Sequence, residues 1–148
     1  MNALPHETYI AAVTDALTAA EVEPADWWTS DSETDPYATG PDAGCTAMLT
    51  AVMTWDSDHP AIGPDGPAHG MVLLWEHPAE QWQHAERRAD GSCEQFEFLP
   101  GLGLYAEPAA VVTVVRALLA GQPAPAEAAA EWAHADLTRA SVDRWDAS

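Results

Sequence analysis

Lysine is absent from this 148-residue chain, whose positive charge rests on five arginines against 24 acidic residues, for a formal net charge of −19. The shortage is uneven: Met1 to Glu86 holds fifteen Asp or Glu and no Lys or Arg. Phosphate backbones and anionic membrane surfaces are bound by Lys and Arg that neutralise them, so the composition argues against direct nucleic-acid binding and against a membrane partner. What such a field attracts is a basic protein surface, a polyamine or a metal cation. High charge of one sign also keeps a chain soluble whatever its partners.

Cysteine is scarce as well. Cys45 and Cys93 stand far apart without C-x-x-C spacing, which excludes a disulfide framework and a zinc knuckle and leaves two reduced thiols. The longest strongly apolar run, Ala109 to Ala120, contains Arg116 and falls short of the roughly twenty apolar residues of a membrane-spanning helix. The first residues lack the basic start and apolar stretch of a secretory signal, and neither end carries a lipidation motif, so a cytoplasmic location is expected. Also missing are the G-x-S-x-G elbow, H-E-x-x-H, the G-x-x-x-x-G-K-[ST] phosphate loop and a complete G-x-G-x-x-G. No cofactor is expected, and no catalytic signature supports an enzyme.

What is present reads as one α+β domain over 1–148, with a core over 6–121. Tyr9, Ile10, Val13 and Leu17 at helical spacing predict a helix from His6 to Ala20. Trp27-Trp28-Thr29 has strand propensity, and Ser30 to Gly44 reads as an exposed acidic loop. Cys45–Trp55 is a strand before the turn-rich stretch from Asp56 to Pro67, and the apolar run from Gly70 to Glu76 is the expected central strand. Gln81–Arg87 and Ser92–Leu99 form a hairpin through Asp90-Gly91, a dipeptide suited to a tight turn. Alternation puts Gln83, Ala85, Phe96 and Phe98 on one face and Trp82, His84, Cys93 and Glu97 on the other, and the Phe face is the expected core face. Pro108 and Gly121 bracket a helix, 122–126 reads as a stiff linker, and a last helix is expected over about 127–146. The order predicts two layers: a mostly antiparallel sheet of about four or five strands with helices on one face.

Seven tryptophans are many for this length. Trp55 and Trp75 fall within apolar strands and read as core. Adjacent side chains of a strand point to opposite faces, so Trp27 and Trp28 cannot both be buried by one layer, and Trp82 points away from the Phe face. Trp27, Trp28 and Trp82 are therefore the candidate partner anchors, with Asp31, Glu33 and Asp35 as electrostatic guides. The alternatives are chemical. Asp56, Asp58, His59 and His69, with His77 further on, offer oxygen and imidazole donors for a divalent cation. Asp31-x-Glu33-x-Asp35 fails as a calcium loop, since Pro36 holds the position that needs Gly and Asp42 the position that needs Glu. Cys93 with His84 and Glu86 is the nearest approach to a nucleophile, base and orienting acid, without a visible oxyanion site. Glu76 and Glu80 form the sort of carboxylate pair that any acidic chain offers.

Tyr9-Ile-Ala-Ala-Val-Thr-Asp-Ala-Leu, Pro24-Ala-Asp-Trp-Trp, His69-Gly-Met-Val-Leu-Leu-Trp-Glu-His-Pro-Ala-Glu-Gln-Trp82, Phe98-Leu-Pro100 and the Pro108–Gly121 run together resemble a family of small, uncharacterised acidic proteins of high-GC actinobacteria of the Streptomyces type. The resemblance spans about residues 6 to 145 and implies no activity or site residues; a GC-rich genome also accounts for missing lysine. Two functions follow from the residues. One is an acidic module that docks a basic protein partner, in the manner of an inhibitor, immunity factor, nucleic-acid mimic or chaperone, with a homodimer as a further possibility. The other is a small-molecule or divalent-metal-binding domain, with hydrolysis as its candidate chemistry, built on Asp56, Asp58, His59 and His69.

Overall fold

The computed structural model describes residues 4–32, 48–77, 81–90, 92–125, 127 and 129–147. Helix α1 (Glu7–Ala19) leads into strands β1 (Asp26–Ser32), β2 (Met48–Trp55), β3 (Met71–His77), β4 (Gln81–Glu86) and β5 (Glu97–Gly103), followed by helices α2 (Pro108–Leu119) and α3 (Ala135–Ala147). The strands form one open antiparallel sheet in the order β1-β2-β3-β4-β5, so each strand pairs with its neighbour in sequence. Period-2 alternation sorts the sheet residues. Leu49, Ala51, Met53 and Trp55 of β2 and Met71, Leu73 and Trp75 of β3 are buried with Tyr9, Ile10, Val13 and Leu17 of α1 and Val111, Val114, Val115 and Leu119 of α2. This is the expected α+β architecture, with the helices packed on one face of the sheet.

Three ring donors inside this core reach backbone carbonyls, while the buried Trp82 indole N–H has no hydrogen-bond partner among the described residues. The Tyr9 hydroxyl donates to Ala106 O at 2.5 Å, the Trp75 indole to Leu104 O at 2.6 Å and the Trp55 indole to Val22 O at 2.9 Å. Burial raises the Tyr9 phenol well above its ordinary pKa, with the Trp82 indole acting in the opposite direction. His6 stacks on Trp75 at 5.0 Å between ring centroids, and its Nε2 lies 2.8 Å from Thr50 O. These bonds fix α1 and the turn after β5 against the sheet.

Helices α1 and α2 close with the same device. After α2, Gly121 N–H bonds to Leu118 O and Gln122 N–H to Ala117 O, with Gly121 at φ 77, as a Schellman end requires. After α1, Glu21 N–H bonds to Thr18 O and Val22 N–H to Leu17 O, but here the left-handed residue is Glu21, at φ 63. Opposite outcomes are expected. Gly121→Ala combines a strained backbone with a Cβ placed 2.0 Å from Asp65 O, and should lower stability by roughly 1–3 kcal/mol. Glu21→Gly relieves left-handed strain and loses part of that gain to unfolded-chain entropy, for a net stabilisation of about 0.5–1 kcal/mol. Urea unfolding of both variants checks the pair.

The structure departs from the sequence reading at several elements. The hairpin uses the opposite face: Trp82 is fully buried in the core with Leu99 and Leu102, while Phe96 and Phe98 are 36% and 55% exposed. The alternation was legible, but the large Trp82 and the two leucines of β5 decide which side the helices cover. β1 extends to Ser32 rather than ending at Thr29, and β5 spans Glu97–Gly103 rather than Ser92–Leu99, with Cys93 joined to Arg87 only by an isolated bridge. The last helix begins at Ala135, not near 127. Before it, Ala129 N–H bonds to Gly101 O, Ala106 pairs with Glu131, and Trp132 N–H bonds to Tyr105 O, so this stretch lies along the outside of β5 and its following turn.

Candidate functional site: an open sheet face and an acidic cleft

The sheet face opposite the helices is exposed toward its two edges, while Val72 and Ala85, paired across β3 and β4, are 7% and 2% exposed there. Register across the strands places Trp28 beside Val52, Val52 beside Leu74, Leu74 beside Gln83 and Gln83 beside Phe98. One row therefore crosses all five strands with an aromatic ring at each end. Trp28 is 46% exposed and Phe98 55%, while Val52 and Leu74 between them are half-buried. Asp26 lies on the same face two residues before Trp28, and Ser30 and Thr50, side by side on this face, share a hydrogen bond between their hydroxyls. No Lys or Arg occurs anywhere from β1 to the end of β4. An apolar row broken only by Gln83, beside Asp26 and without a cation on β1 to β4, is the kind of surface that marks a protein contact.

The predicted anchors divide. Trp27 is 41% exposed and pairs with Met53, on the helix side of the sheet, so Trp27 and Trp28 stand on opposite faces of one strand. Trp82 is no anchor: it packs against Tyr9 with ring centroids 6.3 Å apart, beneath the helices. Asp31 lies within β1, whereas Glu33 and Asp35 fall outside the described residues. Sequence reasoning missed Phe98 and the row it completes, because Phe was assigned to the core. The signal was there in β3, whose Val72 and Leu74 are apolar on the face away from the helices.

The proposed metal ligands do not assemble. Both ring nitrogens of His59 are engaged: Nδ1 accepts from Ala61 N–H at 3.0 Å, leaving Nε2 to donate to Glu23 O at 3.1 Å. Asp56 bonds to the Arg87 guanidinium at 3.3 Å. Asp56, Asp58 and His69 do line one shallow depression, but with Arg87 and Arg88, whose charge opposes a cation. Among the described residues no three His, Cys, Asp or Glu side chains form a group able to hold a metal ion. Cys93 pairs with Arg87 while His84 pairs with Glu97, one residue out of step, so the thiol falls in line with Arg87 rather than with His84.

His84 instead lines a cleft of about 580 Å³ between the β4–β5 end of the sheet and the C-terminal end of α2. Asp65, Glu86, Glu94 and Glu97 supply its polar wall, and Met71, Leu118 and Pro123 its apolar part. Glu97 lies 3.9 Å from the imidazole, and Arg88 holds Glu94 at 3.1 Å. Burial nonetheless holds the imidazole below its ordinary value of 6.5, with Glu97 and Glu86 pulling the other way. The folded state thus takes up the proton less readily than the unfolded chain, so this contribution to stability is complete above about pH 6.5 and is lost as pH falls through the folded value. Thermal unfolding at about pH 7.5 and 5.5 should show a smaller acid-induced loss for His84→Gln than for the parent.

No protein-family model, curated protein or solved structure matches the chain. No described helix is long and apolar enough to cross a membrane.

Proposed function

We propose that this chain is a non-enzymatic acidic docking module for a basic protein partner, acting as an inhibitor, immunity factor, nucleic-acid mimic or chaperone-like protein does. The observation that carries the reading is the open sheet face. Its row from Trp28 to Phe98 offers apolar area and two aromatic anchors, and it sits on a chain of net charge −19 with no cation in β1 to β4. Long-range attraction then sets encounter rate and partner sign, and the desolvated rings supply the contact energy. A second copy is a poor occupant, because −19 would face −19 across the interface. The test is capture from a nuclease-treated bacterial lysate at low salt on the immobilised parent chain and on a Trp28→Ala/Phe98→Ala variant. One near-stoichiometric basic protein, retained by the parent, released by a salt step and absent from the variant, supports the reading. Equal retention by both chains, or no specific protein on either, counts against it.

A further inference from the structure

The two edges of the sheet are finished differently. The outer side of β5 is met by the chain itself at Gly101, whose carbonyl accepts from Ala129 N–H, with the Ala106–Glu131 and Trp132–Tyr105 contacts just beyond the strand. The outer side of β1 receives no backbone hydrogen bond from any described residue. Alternate N–H and C=O groups of an edge strand turn away from the sheet and template another strand unless something blocks them. The ordinary blocks are charged side chains, lysine above all, proline, a bulge, very short length or a covering helix or loop. Among the described residues β1 has no lysine, proline or bulge: Asp-Trp-Trp-Thr-Ser-Asp-Ser pairs with β2 without interruption over seven residues, from Asp26–Thr54 to Ser32–Met48, and its only charges are Asp26, whose Oδ1 accepts from Trp27 N–H at 2.9 Å, and Asp31.

The side chains beside this edge point to one kind of occupant. Trp27 and Trp28 are 41% and 46% exposed on opposite faces, so a strand laid along β1 meets an indole whichever way its side chains alternate. On the helix side, Glu7 of α1 reaches β1 and accepts a hydrogen bond from Thr29 at 3.2 Å. On the open side Asp26 is exposed. An Arg or Lys of an added strand would thus find an indole face and a carboxylate on each side, the pairing that cation–π contact and charge both favour. A second copy pairing β1 to β1 would bring acidic strands together instead.

Resting on the docking role above, we propose that β1 is where the basic partner engages, by adding an extended Arg- or Lys-bearing segment as a sixth strand. Backbone bonds supply the affinity and the two indoles select cationic side chains. The probe is a synthetic peptide of about nine residues alternating Arg with Val, compared with the same peptide N-methylated at the alternate amides that would face β1, and with a Glu-for-Arg version. The Arg peptide should bind at least about tenfold more tightly than either control, slow exchange of alternate amides within Trp27–Asp31 by about tenfold or more, and lose about tenfold on Trp27→Ala/Trp28→Ala. Equal binding of the N-methylated peptide, or outer amides of β1 already slow in the free chain, overturns strand addition. So does self-association of the chain that protects these amides. If the Arg peptide fails while the captured basic protein still needs Trp28 and Phe98, strand addition alone is wrong. If both fail, the docking role falls with it.

Discussion

Trp82→Ala is expected to cost about 3–5 kcal/mol, a large part of the roughly 5–15 kcal/mol that holds a domain together. The side chain is fully buried in β4, which lies between β3 and β5. It fills the space below Tyr9 and belongs to the same core as Leu99, Leu102 and Trp75. Truncation opens a cavity beside the Tyr9 hydroxyl, whose bond to Ala106 O ties α1 to the far end of the sheet. The surroundings are rings and strand backbone, which collapse poorly onto a void. Trp82→Phe should recover much of the loss. Denaturant unfolding followed by far-ultraviolet circular dichroism reads both. A Trp82→Ala chain as stable as the parent but deficient in binding would place this residue on the surface after all.

The complementary result is expected at Trp28 and Phe98. Both rings are about half exposed, so Trp28→Ala/Phe98→Ala should change stability by no more than about 1 kcal/mol. Hot-spot aromatics typically contribute about 2 kcal/mol or more each to an interface, so losing two should weaken the basic partner by a hundredfold or more. The pair of experiments separates two tryptophans that look alike in the sequence, one expected to carry fold and the other contact. Titration calorimetry with the captured protein measures the second effect, and unchanged affinity in a folded double variant would remove the open face from the account.

Much of the architecture was legible because local chemistry and tertiary packing agree. Pro108 and Gly121 delimit α2 as the missing N–H of one and the left-handed backbone of the other require. The apolar run of β3 does lie in the middle of the sheet. Alternation along β4 correctly separated Trp82 and His84 from Gln83. Choosing the buried face was another matter, because both faces of the hairpin carry aromatics and only the positions of α1 and α2 decide between them. The segment at 129–132 has Ala-rich helical composition, yet its backbone bonds to Gly101 and Tyr105, a tertiary demand that propensity does not contain.

The candidate site was legible in sign more than in place. A one-signed charge and the Trp27-Trp28 pair pointed to partner contact, and the alternation of a strand already required the two rings to part. The metal reading failed for a reason the sequence hides. Arg87 and Arg88 are distant in sequence from Asp56 and Asp58, and the antiparallel pairing of β2, β3 and β4 brings them into the same depression. His59 is likewise used up, by Ala61 N–H in its own turn and by Glu23 O from the segment before β1.

The central claim is that an acidic field and exposed aromatic rings together dock a basic protein. Its most direct measurement is the affinity of the captured partner at about 50 mM and 500 mM salt, for the parent chain and for Trp28→Ala. The account expects the parent to weaken by at least about tenfold at high salt, and Trp28→Ala to bind at least about tenfold more weakly than the parent at both concentrations. An affinity that ignores salt and is the same in both chains would contradict it.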